Sequence, residues 1–190
     1  NIVDATNIER NLYLTLQLLE LRIPMVVALN MMDEVRDNGG AIDVQLMSRQ
    51  LGVPVVPISA SKNEGVSELI DQAVSVVKRR AMPTVQDFCP DGPVHRCIHS
   101  VAHVIEDHAR AIGVSPRFCA TKLIEGDPSL SARLELDQNE LELIEHSVLE
   151  MEHETRFDRN EALADMRYTF IEGVVAASVV KSHESKAHRS

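Results

Sequence analysis

Short apolar runs alternate with helical patterns in the first part of the chain. Three runs rich in β-branched residues, NIVDA, PMVVALN and PVVPISA, are each followed by a stretch whose apolar positions lie three or four residues apart. Within the second run, MVVAL is apolar at every position, which favours a strand covered on both faces of its sheet. This order predicts parallel strands joined by right-handed crossover helices. The helices are expected over roughly residues 8–21, 43–51 and 66–80.

Only helical periodicity follows the Pro-, Gly- and Asp-rich segment 86–93. Val94, Ile98, Val101 and Ile105 recur with helical spacing and form one apolar stripe. Asp137 is a favoured cap residue and predicts the start of a further helix, and a last helix is expected over about residues 158–181. The inward positions predicted for these two helices are Leu141, Ile144, Val148 and Met151, then Ala162, Met166, Phe170 and Val174.

These patterns predict an α/β fold class in which a partial three-layer parallel sheet precedes a small α-helical bundle. The expected boundaries are residues 1–82 for the sheet domain, 83–93 for a linker, 94–182 for the helical domain and 183–190 for a flexible tail. Because the chain begins at Asn1 inside an apparent strand, we expect it to be part of a longer protein.

The net charge of −10 argues against nucleic-acid partners, because phosphate binding needs clustered Lys and Arg. The longest nearly apolar stretch, FIEGVVAASVV, is about half the roughly 20 residues that a membrane span needs. The three cysteines, Cys89, Cys97 and Cys119, show neither zinc-ligand spacing nor a disulfide pattern and are expected to be reduced thiols.

Two polar clusters follow the second and third predicted strands. Asn30 and Asp33 come directly after MVVAL, at the edge of a parallel sheet where ligands bind. A carboxylate accepts two parallel hydrogen bonds, and guanine offers N1–H and its N2 amine, whereas adenine presents an acceptor at N1. Asp33 could therefore select guanine, and the amide of Asn30 could form a hydrogen bond with the base N7. A helix-capping turn is the alternative interpretation of these two residues.

Ser59, Ala60 and Ser61 follow the next strand, and their small side chains would let a backbone N–H approach the base O6. The two clusters resemble the guanine-specificity motifs of small GTPases, NKxD and SAK, which implies a Ras-like sheet. More narrowly, DATNIERNLYLTLQLLELRIPMVVALNMMDE, KLIEGD and ADMRYTFIEGVV resemble the cytosolic GTPase region of ferrous iron transport protein B, a bacterial inner-membrane iron(II) transporter. The resemblance covers almost the whole chain.

The resemblance implies a nucleotide site for GTP or GDP built from Asn30, Met31, Met32, Asp33 and the Ser59–Ser61 segment. Met31 stands where most small GTPases have Lys, and its apolar stem could cover the base. Ser61 replaces the Lys of SAK, with Lys62 next in line.

No phosphate loop of the form GxxxxGK[ST] occurs in the chain. We therefore expect no GTP hydrolysis and no catalytic residue in this chain alone, with Mg²⁺ bound only together with a missing N-terminal half of the nucleotide domain. The resemblance further implies a membrane domain of the same protein as partner and a place on the cytoplasmic face of the inner membrane. The strand NIVDA would expose a sheet edge, through which self-association is a further expectation.

His95, His99 and His103 repeat every four residues along one predicted helix. We interpret them as a solvated helix flank, so no metal ligand is assigned, and whether they bind metal stays open. Two alternatives to the transporter remain: a soluble regulatory GTPase of another branch, and a non-enzymatic helical interaction module.

Overall fold

The computed structural model describes residues 1–181 and is mixed α/β. The strands are β1 (Ile2–Asp4), β2 (Val27–Asn30), β3 (Ala41–Ile42), β4 (Val55–Pro57) and β5 (Val179–Val180). The helices are α1 (Ile8–Glu20), α2 (Met32–Asp37), α3 (Val44–Leu51), α4 (Val66–Arg79), α5 (Pro93–Val104), α6 (Glu106–Ala111), α7 (Pro116–Ile124), α8 (Pro128–Leu134), α9 (Gln138–Thr155) and α10 (Arg159–Ser178).

The main sheet has the order β1-β2-β4, and both pairs of neighbouring strands are parallel. Val3 lies beside Leu29, and Val27 lies beside Val55. Val27 and Leu29 are both fully buried, as expected for a strand that is apolar at every position. The predicted three parallel strands with crossover helices are therefore confirmed, and their carboxyl ends share one edge.

A second, two-stranded sheet was not predicted from the sequence. Strand β3 pairs antiparallel with β5, so that Ala41 lies beside Val180 and Ile42 beside Val179. The backbone N–H of Asp43 also donates to the carbonyl oxygen of Ser178 at 2.7 Å. The last helix consequently ends at Ser178, and the predicted continuation to residue 181 was wrong because the chain changes there to strand pairing.

The contacts divide the chain into two compact units. The first, the sheet unit, comprises residues 1–15 and 24–85 together with the described residues from 171 onward. The second, the helical unit, comprises residues 16–23 and 86–170. The domain boundaries expected from the sequence stay predictions, and the expected flexible tail at 183–190 lies outside the described residues. None of the helices between residues 1 and 181 is long and apolar enough to cross a bilayer.

The helical unit buries the stripe that the sequence predicted. Ile98, Val101 and Ile105 are at most 1% exposed. Helix α9 begins with a capping box in which Asp137 and Glu140 each accept a hydrogen bond from the other's backbone N–H. Leu141 is 37% exposed, so its predicted inward position was wrong, because the buried face of α9 begins one turn later at Ile144.

Candidate functional site

The loop after β2 is held against the end of β4 by backbone geometry. Met31 has a left-handed conformation with φ of 65°, which turns the chain sharply from the strand into α2. The next residue, Met32, is 7% exposed, and its N–H donates to the carbonyl oxygen of Ile58 at 3.2 Å. Met31 and Met32 thus position the loop, and Met31 remains half-buried at the edge of the sheet.

Two side-chain hydrogen bonds join the loop after β2 to the loop after β4. The amide oxygen of Asn30 accepts from the backbone N–H of Ala60 at 3.1 Å. The hydroxyl oxygen of Ser59 accepts from the backbone N–H of Asp33 at 3.0 Å. The structure therefore brings the two polar clusters found in the sequence together at one sheet edge.

The members of the Ser59–Ser61 segment have different surroundings. Ser59 is 1% exposed and exchanges two backbone hydrogen bonds with Glu64, which closes the loop. Ala60 and Ser61 are exposed. The N–H of Ala60, one of the backbone donors in the segment expected to approach the base O6, donates instead to Asn30. The amide NH₂ of Asn30 is a further donor at this position.

The carboxylate of Asp33 has a lysine counter-ion. Asp33 is 8% exposed, and its Oδ2 lies 3.1 Å from Nζ of Lys62. Hydrogen bonding from Lys62, supported by Ser59, holds the pKa of Asp33 below its ordinary value, and the carboxylate raises the pKa of Lys62 in return. Asp33 is therefore ionised at neutral pH and acts as a hydrogen-bond acceptor.

Lys62 was not among the residues assigned to the site from the sequence. Its only signal was its place directly after Ser61. Its side chain is 52% exposed, so it can leave the carboxylate for water at little cost. Asp33 is thus a charged acceptor whose present partner is replaceable.

A cavity in the sheet unit lies away from this edge. It has a volume of about 590 Å³ and is lined by residues near the start of α1 and by the β3 and β5 strands, among them Thr6, Ile42 and Val179. None of the residues assigned to the site from the sequence lines it. This cavity is therefore separate from the candidate site.

Gly65 fixes the course of the loop that carries Ser59 and Ala60. It has φ of 73°, and a Cβ atom added there would collide with the carbonyl oxygen of Pro57. Replacement by Ala should lower the free energy of unfolding by at least about 3 kcal/mol, because backbone strain and overlap add. Gly113→Ala is the control: it has a similar φ with open space around it, and should cost only about 1 kcal/mol. Thermal melting of both variants tests this, and equal losses would contradict the role of the contact.

The chain is similar to known proteins in both of its parts. The family model described as ferrous iron transport protein B matches residues 1–73, and that of the FeoB cytosolic helical domain matches residues 91–180. A Fe(2+) transport protein A/Fe(2+) transporter FeoB fusion protein of Porphyromonas gingivalis is 31% identical over 97% of this chain and 23% of its own length. The Fe(2+) transporter FeoB of Salmonella typhimurium is 55% identical over 36% of this chain and 9% of its own length.

Solved structures of S. thermophilus NFeoB have the same fold. A mutant bound to GDP superposes with a TM-score of 0.82 at 37% identity, covering 94% of this chain and 67% of that one. The form bound to mGMPPNP superposes with a TM-score of 0.81 at 36% identity, covering 98% of this chain and 68% of that one. The chain spans less than a quarter of the length of the transporters it matches. It belongs to the ferrous iron transport protein B family and corresponds to part of the cytosolic region of these Fe²⁺ transporters.

Proposed function

We propose that the edge formed by the loops after β2 and β4 recognises the base of a guanine nucleotide. The observation that carries the proposal is the ionised carboxylate of Asp33, held at the carboxyl ends of two parallel strands by Ser59. In this arrangement Asp33 accepts from guanine N1–H and the N2 amine after Lys62 has moved away. The amide NH₂ of Asn30 donates to N7, while its oxygen keeps the bond to Ala60.

The chemistry of the acceptor explains the selectivity. A hydrogen bond to a charged group contributes about 1.5–3 kcal/mol, and Asp33 would make two with guanine. Adenine presents a lone pair at N1 to the same carboxylate, so it loses a bond and gains a repulsion. The nucleotides in the related NFeoB structures, GDP and mGMPPNP, are guanine nucleotides, which supports assigning the same class here.

The first experiment tests base recognition by the chain itself. We expect titration with GMP to about 10 mM, a range suited to weak binding, to shift the amide resonances of Asp33 and Ala60 in ¹⁵N–¹H spectra. AMP at the same concentration should leave these resonances unchanged, because the carboxylate repels adenine N1. Equal shifts with the two nucleotides, or none with GMP, would refute the proposal.

For the whole protein we propose nucleotide-dependent control of Fe²⁺ transport at the cytoplasmic face of the inner membrane. The nucleotide state would be communicated through the helical region to the membrane domain, with phosphate and Mg²⁺ ligands supplied by other parts of the protein. Cross-linking the helical region to the nucleotide domain in the full protein should alter iron uptake, and unchanged uptake would count against the coupling. The family match decides against a GTPase of another branch.

A further inference from the structure

Two histidines and one aspartate converge in the helical unit. Oδ2 of Asp87 lies 3.1 Å from Nδ1 of His95 and 2.9 Å from Nε2 of His99. The three ligand-type atoms all lie within 4.8 Å of one another. Among the described residues, these three side chains form the group of His, Cys, Asp or Glu that lies close enough together to hold one metal ion.

The spacing fits a shared cation. Transition metals bind imidazole nitrogen and carboxylate oxygen at about 2.0–2.2 Å, so two ligands of a tetrahedral ion lie about 3.3 Å apart. The two separations from Oδ2 are a few tenths of an ångström shorter than this value. The rings of His95 and His99 lie 4.3 Å apart on successive turns of α5, so small side-chain rotations would complete the arrangement.

The nitrogen of His95 that points to the cluster has no hydrogen bond of its own. Nδ1 of His95 is buried and makes no hydrogen bond within the described residues, although Oδ2 of Asp87 is close. A buried polar atom without a partner is costly in a folded protein and calls for an explanation. A lone pair directed at a metal ion would satisfy it.

The carboxylate of Asp87 is already oriented by its neighbours. Its other oxygen, Oδ1, accepts from the backbone N–H of Cys89 at 3.0 Å and lies 3.1 Å from the guanidinium of Arg117. These two contacts fix the orientation of the carboxylate and leave Oδ2 directed at the two imidazoles. Support of this kind on the non-ligating oxygen is what metal-binding carboxylates have in known sites.

We propose that Asp87, His95 and His99 bind one divalent first-row transition-metal ion. Two imidazoles and one carboxylate suit zinc, iron(II), cobalt or nickel, whereas Mg²⁺ and Ca²⁺ prefer ligand sets made of oxygen alone. Three protein ligands leave at least one coordination position open to water. The positive charge of Arg117 nearby weakens the attraction and favours an exchangeable ion over a permanent structural one.

Only two of the three evenly spaced histidines of α5 belong to this site. His103 has the same spacing from His99 as His99 has from His95, but it is exposed and takes no part in the cluster. Cys89, close in sequence, does not belong to the group of ligand-type atoms that lie within 4.8 Å of one another. The expectation from the sequence that these histidines form only a solvated flank is replaced, for His95 and His99, by this proposal.

The test uses the metal-free chain and titrates it with Zn²⁺, with Co²⁺ as a spectroscopic probe, and with Fe²⁺ under anaerobic conditions. We expect saturation at one ion per chain, d–d absorption bands for Co²⁺, and no saturation with Mg²⁺ or Ca²⁺. Asp87→Asn, His95→Gln and His99→Gln should each weaken Zn²⁺ binding at least about tenfold. His103→Gln is the matched control and should bind like the unmodified chain.

Three outcomes would overturn the proposal. The first is an unchanged affinity in Asp87→Asn, and the second is an equal loss in His103→Gln, which would indicate an unspecific helical histidine pair. The third is the absence of saturable Zn²⁺ binding by a folded sample. Circular dichroism of each variant confirms folding, and a given Zn²⁺ concentration should raise the melting temperature of the unmodified chain and of His103→Gln more than that of Asp87→Asn. The result is independent of the proposed nucleotide function.

Discussion

Replacing Asp33 with Asn should transfer base preference from guanine to xanthine. Asn keeps the size of the side chain but exchanges one acceptor oxygen for an NH₂ donor. Guanine then faces that NH₂ with its own N2 amine and loses a hydrogen bond, whereas xanthine presents a carbonyl oxygen at C2 and regains it. We expect GMP binding to weaken at least about a hundredfold, in keeping with the loss of bonds to a charged acceptor.

The comparison requires both nucleotides and a matched variant. Amide shifts at Ala60 should vanish with GMP in Asp33→Asn and appear with xanthosine monophosphate. Asp37→Asn makes the same chemical change at an exposed position of the same short helix, α2, and should retain the preference for GMP. A loss of GMP binding without a gain of xanthosine monophosphate binding would point to structural damage and contradict direct base contact.

Replacing Arg167 with Met should unfold the helical unit more readily than any surface substitution in it. The side chain of Arg167 is 2% exposed, and it lies 2.8 Å from Glu125 and 3.7 Å from Glu20. Glu20 is equally buried and also accepts a hydrogen bond from the hydroxyl of Thr121. Removing the guanidinium leaves a buried carboxylate without its main counter-charge, which costs about 3–5 kcal/mol.

The raised pKa of Glu20 adds a pH dependence to the expected loss of stability. Burial raises the pKa of Glu20 even though Arg167 and Arg117 oppose it, and removal of Arg167 should raise it further. Because a carboxyl with a raised pKa favours folding once it is protonated, part of the lost stability should return as the pH falls below neutral.

Urea unfolding at pH 7 and at pH 5 measures this return of stability, and Glu20→Gln combined with Arg167→Met should recover part of the loss at pH 7. The control, Arg110→Met, removes an exposed ion pair with Glu106 and should cost less than about 0.5 kcal/mol. A loss in Arg167→Met as small as that of the control would contradict the buried ion network.

The main sheet and the outline of the site could be predicted from the sequence because their signals are local. Each strand of the main sheet is a contiguous apolar run, and parallel strands place their carboxyl ends at one edge. Asn30 ends one such run, Asp33 lies three residues further on and Ser59 follows the next run, so the strand order was enough to predict that they meet. The counter-ion Lys62 was missed because an exposed lysine next to a loop has no local pattern.

The sequence by itself determined the α/β order, the helical second half and the two polar clusters at the strand ends, since each is encoded within one segment. Tertiary structure alone decided which distant residues meet: β3 with β5, Arg167 with Glu20, and Asp87 with two of three evenly spaced histidines. The physical reason is that a two-residue strand has too few positions to show a period. A buried charge or a ligand set is likewise specified by partners that only the folded chain brings within bonding distance.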